Sequence, residues 1–263
     1  MSSLHHDLTP DDEAEPATPA RPWPYPLWFA HRGAGRHAPE NTLPAFELAV
    51  EQGCHGLEFD VQLTRDGVAA VIHDWTVDRT TNGSGEVRGM DYSDIRSLDA
   101  GSWFDPKFAG THVPRLEELF ERLPKDMTLN VEMKSRPDDR PGLEELVASL
   151  VSKYGAAERT IVSSFNHKSL KMLHRIAPHL KKGLLYEGVL ISPLTYGGRH
   201  ALGLRSLHPC HDYVEPAVVK RAQDSGIKVA CWTVNTAERA LELERMGVDI
   251  VITNYPDRLL AVL

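Results

Sequence analysis

Residues 56–74 read GLEFDVQLTRDGVAAVIHD. Over 56–63 the run is largely apolar with period-two alternation, which marks a strand and puts Glu58 and Asp60 on one face and Phe59 on the other. A second β-rich apolar run, 68–73, follows after only Thr64-Arg65-Asp66-Gly67. A parallel crossover needs about a dozen residues, so this spacing predicts an antiparallel hairpin with Asp-Gly at its turn. A symmetric turn at Asp66-Gly67 sets His73 opposite Asp60. Residues 74–114, rich in glycine and polar groups, then read as a long loop or small insertion over the strand ends.

The rest of the chain repeats a simpler unit. Strand patterns occur at 27–31, 56–63, 127–134, 160–165, 182–187, 204–209, 227–234 and 249–254. Helical patterns occupy 42–52, 115–123, 142–154, 167–177, 216–225, 236–246 and 256–263. The Gly/Pro/Tyr-rich stretch 188–203 shows no pattern. Strands alternating with helices imply parallel pairing, and eight such units close into a (β/α)8 TIM barrel. The predicted fold is therefore α/β, a barrel with a hairpin insertion after its second strand. The competing fold, an open doubly wound sheet, lacks a glycine-rich dinucleotide fingerprint after any strand.

Residues 27–263 thus read as one barrel domain. Residues 1–26 differ: six prolines, five acidic residues and one basic residue predict a disordered or extended tail. Its start lacks the basic-then-apolar layout of a signal peptide. The chain of 263 residues suits a single barrel, and 41% hydrophobic residues support a sizeable core. No apolar run approaches the roughly 18 residues of a membrane span. A net charge of −8 speaks against nucleic acid as a partner but not against a small anionic substrate. Cys54, Cys210 and Cys231 are far apart and form no CxxC pair, so a reducing, cytoplasmic location is expected.

Barrel enzymes work at the C-terminal ends of their strands. There the first strand ends in His31-Arg32-Gly33, the second carries Glu58 and Asp60, the hairpin ends in His73-Asp74, and the third puts Asn130, Glu132 and Lys134 on one face. Each taken singly has an ordinary structural reading; together they ask for a common cause. Glu58, Asp60 and Glu132 offer only oxygen, which suits one hard divalent cation, Mg²⁺ or Ca²⁺, better than zinc. With that ion, Arg32 and Lys134 leave one net positive charge, matched to a monoanion such as a phosphodiester. His31 and His73, from different segments, can exchange protons on opposite sides of phosphorus.

These residues resemble the glycerophosphodiester phosphodiesterases. The matching text is HRGAGRHAPENTLPAFELAVEQGCHGLEFDVQLTRDGVAAVIHD at 31–74 and RTTNGSG at 79–85. It continues with VPRLEEL at 113–119, LNVEMK at 129–134, SSF at 163–165, CWTVN at 231–235 and GVDIVITNYP at 247–256. The resemblance implies a metal-dependent TIM barrel that cleaves glycerophosphodiesters to glycerol 3-phosphate and an alcohol. It makes His31 and His73 the acid/base pair, Glu58, Asp60 and Glu132 the metal ligands, and Arg32 and Lys134 the phosphate contacts. Attack by the neighbouring glycerol hydroxyl through a cyclic phosphate, and direct attack by water, both fit. The implied partner is a small-molecule glycerophosphodiester; the alcohol group and the oligomeric state are left open.

Other positions are supporting. Glu40 is placed behind the site holding Arg32. Asn41 fits the N-cap of the first helix and is otherwise a supporting residue beside Glu40. Trp232 walls the glycerol or alcohol pocket, with Phe165 and His208 at other strand ends. Two departures from the family pattern are Asn254, where Asp is usual, and Arg115, where Thr is usual. Two alternative functions share the same residues: a lysophospholipase D-like phosphodiesterase, and a non-catalytic barrel that binds phosphorylated ligands.

Overall fold

The computed structural model describes residues 26–260. The expected tail, 1–26, lies outside them but for Pro26, as do the last three residues of the helix expected at 256–263. In chain order the strands are β1 (Leu27–His31), β2 (Gly56–Leu63), β3 (Ala69–Val71), β4 (Thr128–Met133), β5 (Thr160–Ser164), β6 (Lys181–Tyr186), β7 (Leu204–Pro209), β8 (Lys228–Cys231) and β9 (Ile250–Thr253). All but β3 run parallel, and pairing of β1 with both β2 and β9 closes them into the expected eight-stranded barrel. The helices are α1 (Leu43–Glu51), α2 (Tyr92–Arg96), α3 (Leu116–Arg122), α4 (Leu143–Lys153), α5 (His167–Ile176), α6 (Pro193–Arg199), α7 (Pro216–Asp224), α8 (Ala237–Met246) and α9 (Pro256–Leu260). The unpatterned stretch 188–203 contains α6, a short helix opened by Pro193.

Alternation decides which side chains face the helices. Leu57, Phe59 and Val61 of β2 join the main core, where Phe59 meets Phe46 of α1 edge-on at 5.6 Å. Burying a side chain of that size contributes about 2–3 kcal/mol. The opposite face, lining the barrel interior, is apolar at Phe29, Ile161, Ala230, Ile250 and Ile252. It is polar at Glu58, Asp60, Asn130, Glu132 and His208, all buried.

The hairpin forms as expected but one residue out of register. Val61 pairs with Val71 and Gln62 with Ala70, so Ile72, not His73, stands opposite Asp60. The cause is a three-residue loop. Thr64 accepts from and donates to Val68 across Arg65-Asp66-Gly67, and Gly67 takes φ +87°, which a side chain would strain. Beyond β3, residues 74–114 fold on a small core of their own, with Val77, Val87, Tyr92, Ile95 and Val113 packed on Ala70 and Ile72.

Arg115 occupies the N-cap of α3. Its side chain offers no acceptor to the first turn, and the reciprocal half survives as Glu118 accepting the Arg115 N–H at 3.2 Å. Arg115→Thr should therefore raise stability by about 0.5–1 kcal/mol with unchanged turnover, read from urea melts.

His208, expected near the pocket, is instead sealed in the barrel wall. Its Nε2 meets Ser206 Oγ at 2.7 Å, and its ring fills the space beside Gly183, where a Cβ would come within 2.4 Å of it. Burial pushes its pKa down to about 3. A depressed histidine is protonated earlier in the unfolded chain, so stability is full above pH ~6.5 and falls as pH drops from there toward 3. His208→Gln should remove about 2 kcal/mol of the wild-type loss between pH 7 and 5, measured by denaturant titration at both values.

Candidate active site

The turn after β1 is built around a close approach. Gly33 has φ +81°, and a Cβ there would sit 2.7 Å from the Ala45 carbonyl carbon. Arg32 and Asn41 also adopt left-handed φ values, +56° and +57°, and the Asn41 N–H donates to the Arg32 carbonyl at 3.0 Å. Strain of this kind in non-glycine residues marks a site whose surroundings over-determine it. Asn41 is not the helix cap: Thr42 holds that position, and Asn41 clasps Asp60. Its Nδ2 donates to Asp60 Oδ2 at 2.9 Å, and its Oδ1 accepts the Asp60 N–H at 3.4 Å. The left-handed backbone is what swings the amide off the helix and onto the carboxylate.

Glu58, Asp60 and Glu132 converge as the alternation requires. One carboxylate oxygen from each lies within 4.8 Å of the others, and all three residues are at least nine-tenths buried. Burial would raise the Asp60 pKa, but Arg32, His73, Lys134 and the Asn41 amide outweigh it and hold Asp60 ionised. Arg32 Nε lies 3.3 Å from it and Lys134 Nζ 3.9 Å; Lys134 also pairs with Glu132 at 3.1 Å. Glu58 and Glu132 remain under-compensated. Burial first, then the neighbouring carboxylates, push both above the ordinary range. A compact, buried, all-oxygen and anionic donor set of this kind fits a hard divalent ion and disfavours a soft one.

The two imidazoles reach the same place. His31, Glu58, Glu132, His73, Arg32 and Lys134 line one cavity of about 90 Å³, with Phe165, Leu185, Trp232 and Ile252 as its apolar side. Trp232 is fixed by donating Nε1–H to the His208 carbonyl at 2.8 Å and by an edge contact with Phe165 at 5.4 Å. His31 Nε2 stands 3.7 Å from Glu58, while its Nδ1 is 2.7 Å from Asn254 Oδ1. Burial, reinforced by Arg32, brings the His31 pKa down to about 4. His73 Nδ1 is 2.7 Å from Asp74 Oδ1. Burial also lowers His73, against the pull of Asp60 and Asp74.

The structure brings the expected inner residues together, and it differs from expectation in how some of their supports act. Glu40 does hold Arg32, at 2.9 Å. Asn254 is more than a missing charge, since it orients His31. Gln62 was overlooked, although it continues the 58, 60 alternation; its Nε2 donates to the carbonyls of Ile72, His73 and Asp74 and straps the histidine segment to β2.

A barrel mouth that joins two cations, two imidazoles and two members of a buried acidic trio in one cavity, with the third member Asp60 beside it, suits a hydrolase of anionic esters. Comparison with known proteins is specific about which. Residues 31–258 match the glycerophosphoryl diester phosphodiesterase family. A glycerophosphodiester phosphodiesterase of Caldanaerobacter subterraneus subsp. tengcongensis is 44% identical over 89% of this chain and 96% of its own. One from Bacillus subtilis is 35% identical over 88% and 84%. Among solved structures, an Oleispira antarctica phosphodiesterase in complex with the product sn-glycerol-3-phosphate superposes with a TM-score of 0.79. It is 30% identical and covers 90% of this chain and 96% of its own. The chain belongs to the glycerophosphoryl diester phosphodiesterase family and is a phosphodiesterase.

If Asn254 orients His31, Asn254→Ala should lower kcat roughly tenfold while KM and thermal stability stay near wild type. Steady-state kinetics on a soluble glycerophosphodiester would show it; unchanged kcat would remove Asn254 from the site.

Proposed function

We propose that this chain hydrolyses water-soluble glycerophosphodiesters to sn-glycerol 3-phosphate and an alcohol, with His31 and His73 as base and acid. The carrying observation is the convergence of Glu58, Asp60 and Glu132 within 4.8 Å beside a cavity that both histidines line. Those three carboxylates would hold one divalent cation, Mg²⁺ or Ca²⁺, which supplies charge neutralisation to the phosphate oxygens. Arg32 and Lys134, already anchored on carboxylates, present their remaining N–H groups to the same phosphate.

The division between the histidines follows from what stands behind each. An amide oxygen accepts the His31 Nδ1–H, leaving Nε2 with a free lone pair. That nitrogen takes the proton of the attacking hydroxyl as the new O–P bond forms; where that hydroxyl is the glycerol's own, the product is a cyclic phosphate that water then opens to glycerol 3-phosphate with the two proton transfers reversed. A carboxylate accepts the His73 Nδ1–H and stabilises the imidazolium, so the Nε2–H of His73 is given to the alcohol oxygen as its bond to phosphorus breaks. The apolar wall of Leu185, Ile252 and Trp232 excludes water from the glycerol carbons.

Among the described residues no helix is long and apolar enough to cross a membrane. A reducing, cytoplasmic setting is part of this reading, since the three cysteines are far apart in the chain and form no CxxC pair. Exposed apolar side chains near the mouth, Phe165 on the loop after β5 and Val189 and Ile191 after β6, favour a second substrate reading, a lysophospholipid whose acyl chain crosses them. A binding-only barrel is not retained, since the chain belongs to a family of enzymes.

The test is release of glycerol 3-phosphate from a panel of soluble diesters and lysophospholipids, with Mg²⁺ and Ca²⁺ in parallel. Chelation should abolish turnover and either ion restore it. His31→Ala and His73→Ala should each lower kcat by about 10²–10⁴ with metal affinity intact. Glu58→Ala should instead weaken the metal. Full activity after chelation, or near-wild-type kcat in both histidine variants, would sink the assignment.

A further inference from the structure

We infer that Arg79, which lies outside the cavity, is a positioning residue that sets the acid side of the site against its phosphate-binding side. The inference rests on the function proposed above. Arg79 comes from the insertion after β3, and its guanidinium is divided between two carboxylates. Its Nε donates to Asp74 Oδ2 at 2.6 Å and its Nη2 to Asp74 Oδ1 at 3.1 Å. Its Nη1 and Nη2 donate to Glu40 Oε2 and Oε1 at 3.0 and 2.7 Å. Among the described residues each of those carboxylates has one further engagement, and in both cases it is a side chain that lines the cavity. Asp74 holds His73 Nδ1 at 2.7 Å, and Glu40 holds Arg32 Nη1 at 2.9 Å.

The result is one continuous chain, His73–Asp74–Arg79–Glu40–Arg32, closed onto Asp60 by Arg32 at 3.3 Å. Its two ends belong to different parts of the fold: Arg32 and Glu40 to the turn between β1 and α1, His73 and Asp74 to the end of the hairpin. Among the described residues no other side chain bridges those two carboxylates. Only a planar fork with several donors can satisfy both at once; a lysine could reach one or the other. Without Arg79, Asp74 and Glu40 would face each other with only His73 and Arg32 to neutralise them.

The two arms make separable predictions. Asp74→Asn loosens the proton donor and should mainly lower kcat. Glu40→Gln loosens Arg32 and should mainly raise KM. Arg79→Ala should do both, by roughly tenfold each, because a displacement of an ångström or less at reacting groups costs on that order. Arg79→Lys should recover one effect and not the other. Added guanidinium at tens of millimolar should restore part of the activity of Arg79→Ala, while methylammonium should not.

Each variant is assayed on a soluble glycerophosphodiester with saturating metal, alongside metal affinity from thermal shift with Mg²⁺ or Ca²⁺. That affinity should be unchanged. Wild-type kcat and KM in Arg79→Ala would overturn the inference, as would a loss that guanidinium does not relieve and that tracks a fall in metal affinity or melting temperature. Should Arg79→Ala fail to fold, Arg79→Lys and the two arm variants decide the matter: no kcat-against-KM split among them overturns it. Failure of the underlying function looks different, since His73→Ala would then keep its activity.

Discussion

Three carboxylates buried within a few ångströms of one another are the constraint around which this molecule is arranged. Each such group gives up several kcal/mol of hydration, and their mutual repulsion adds to it. Well-packed apolar side chains at Glu58, Asp60 and Glu132 would make the more stable barrel. Arg32, Lys134 and Asn41 settle only Asp60. Glu58 and Glu132 stay under-compensated by side chains, which makes the trio a donor set that could hold a divalent ion. The topology serves it too. Because β3 leaves the barrel, β2 and β4 become neighbours, and their register puts Asp60 level with Glu132.

What the sequence revealed, and what it hid, divides along the same physical line. Strand periodicity is local and strong, so the eight staves and the shared face of Glu58 and Asp60 could be read directly. The hairpin was legible but its register was not, because Asp-Gly serves two- and three-residue loops alike, and only the Thr64–Val68 pairing chooses. Asn41 looked like a helix cap since caps are the commonest use of asparagine there. Its left-handed backbone, imposed by the tight turn at Gly33, could not be inferred from residue type. Gln62 could have been found, being the next member of an alternation already in hand. Asn254 could not be placed by spacing, as His31 lies far away in the chain, and Arg79 could not because its bridge to Glu40 joins separate segments although Asp74 is near in sequence.

The helix α6 and the insertion core were illegible for a related reason. Short helices with glycines carry little propensity, and α6 is held by packing, with Gly197 closely covered by Leu204. The insertion's few apolar residues are spread across forty positions and make sense only once Ala70 and Ile72 supply a surface for them. Tertiary contact specifies both.

The two histidines show why a barrel needs such an excursion. Parallel strands deliver all their ends to one rim, so groups carried by the barrel alone approach a ligand from below. His31 is of that kind, set by β1 and braced by Asn254 at the end of β9. A group brought to the same cavity from outside the staves has to come from chain that rises above the rim and returns, and His73 is such a group. The hairpin does this from β2, the very strand that carries Glu58 and Asp60, so His73 is tied by a short covalent path to two of the three clustered carboxylates. Gln62 shortens that tie by gripping the backbone of residues 72–74 from within β2. Groups that act together on one bound molecule demand such a fixed relation. A hairpin is the least elaborate way for a parallel barrel to supply it.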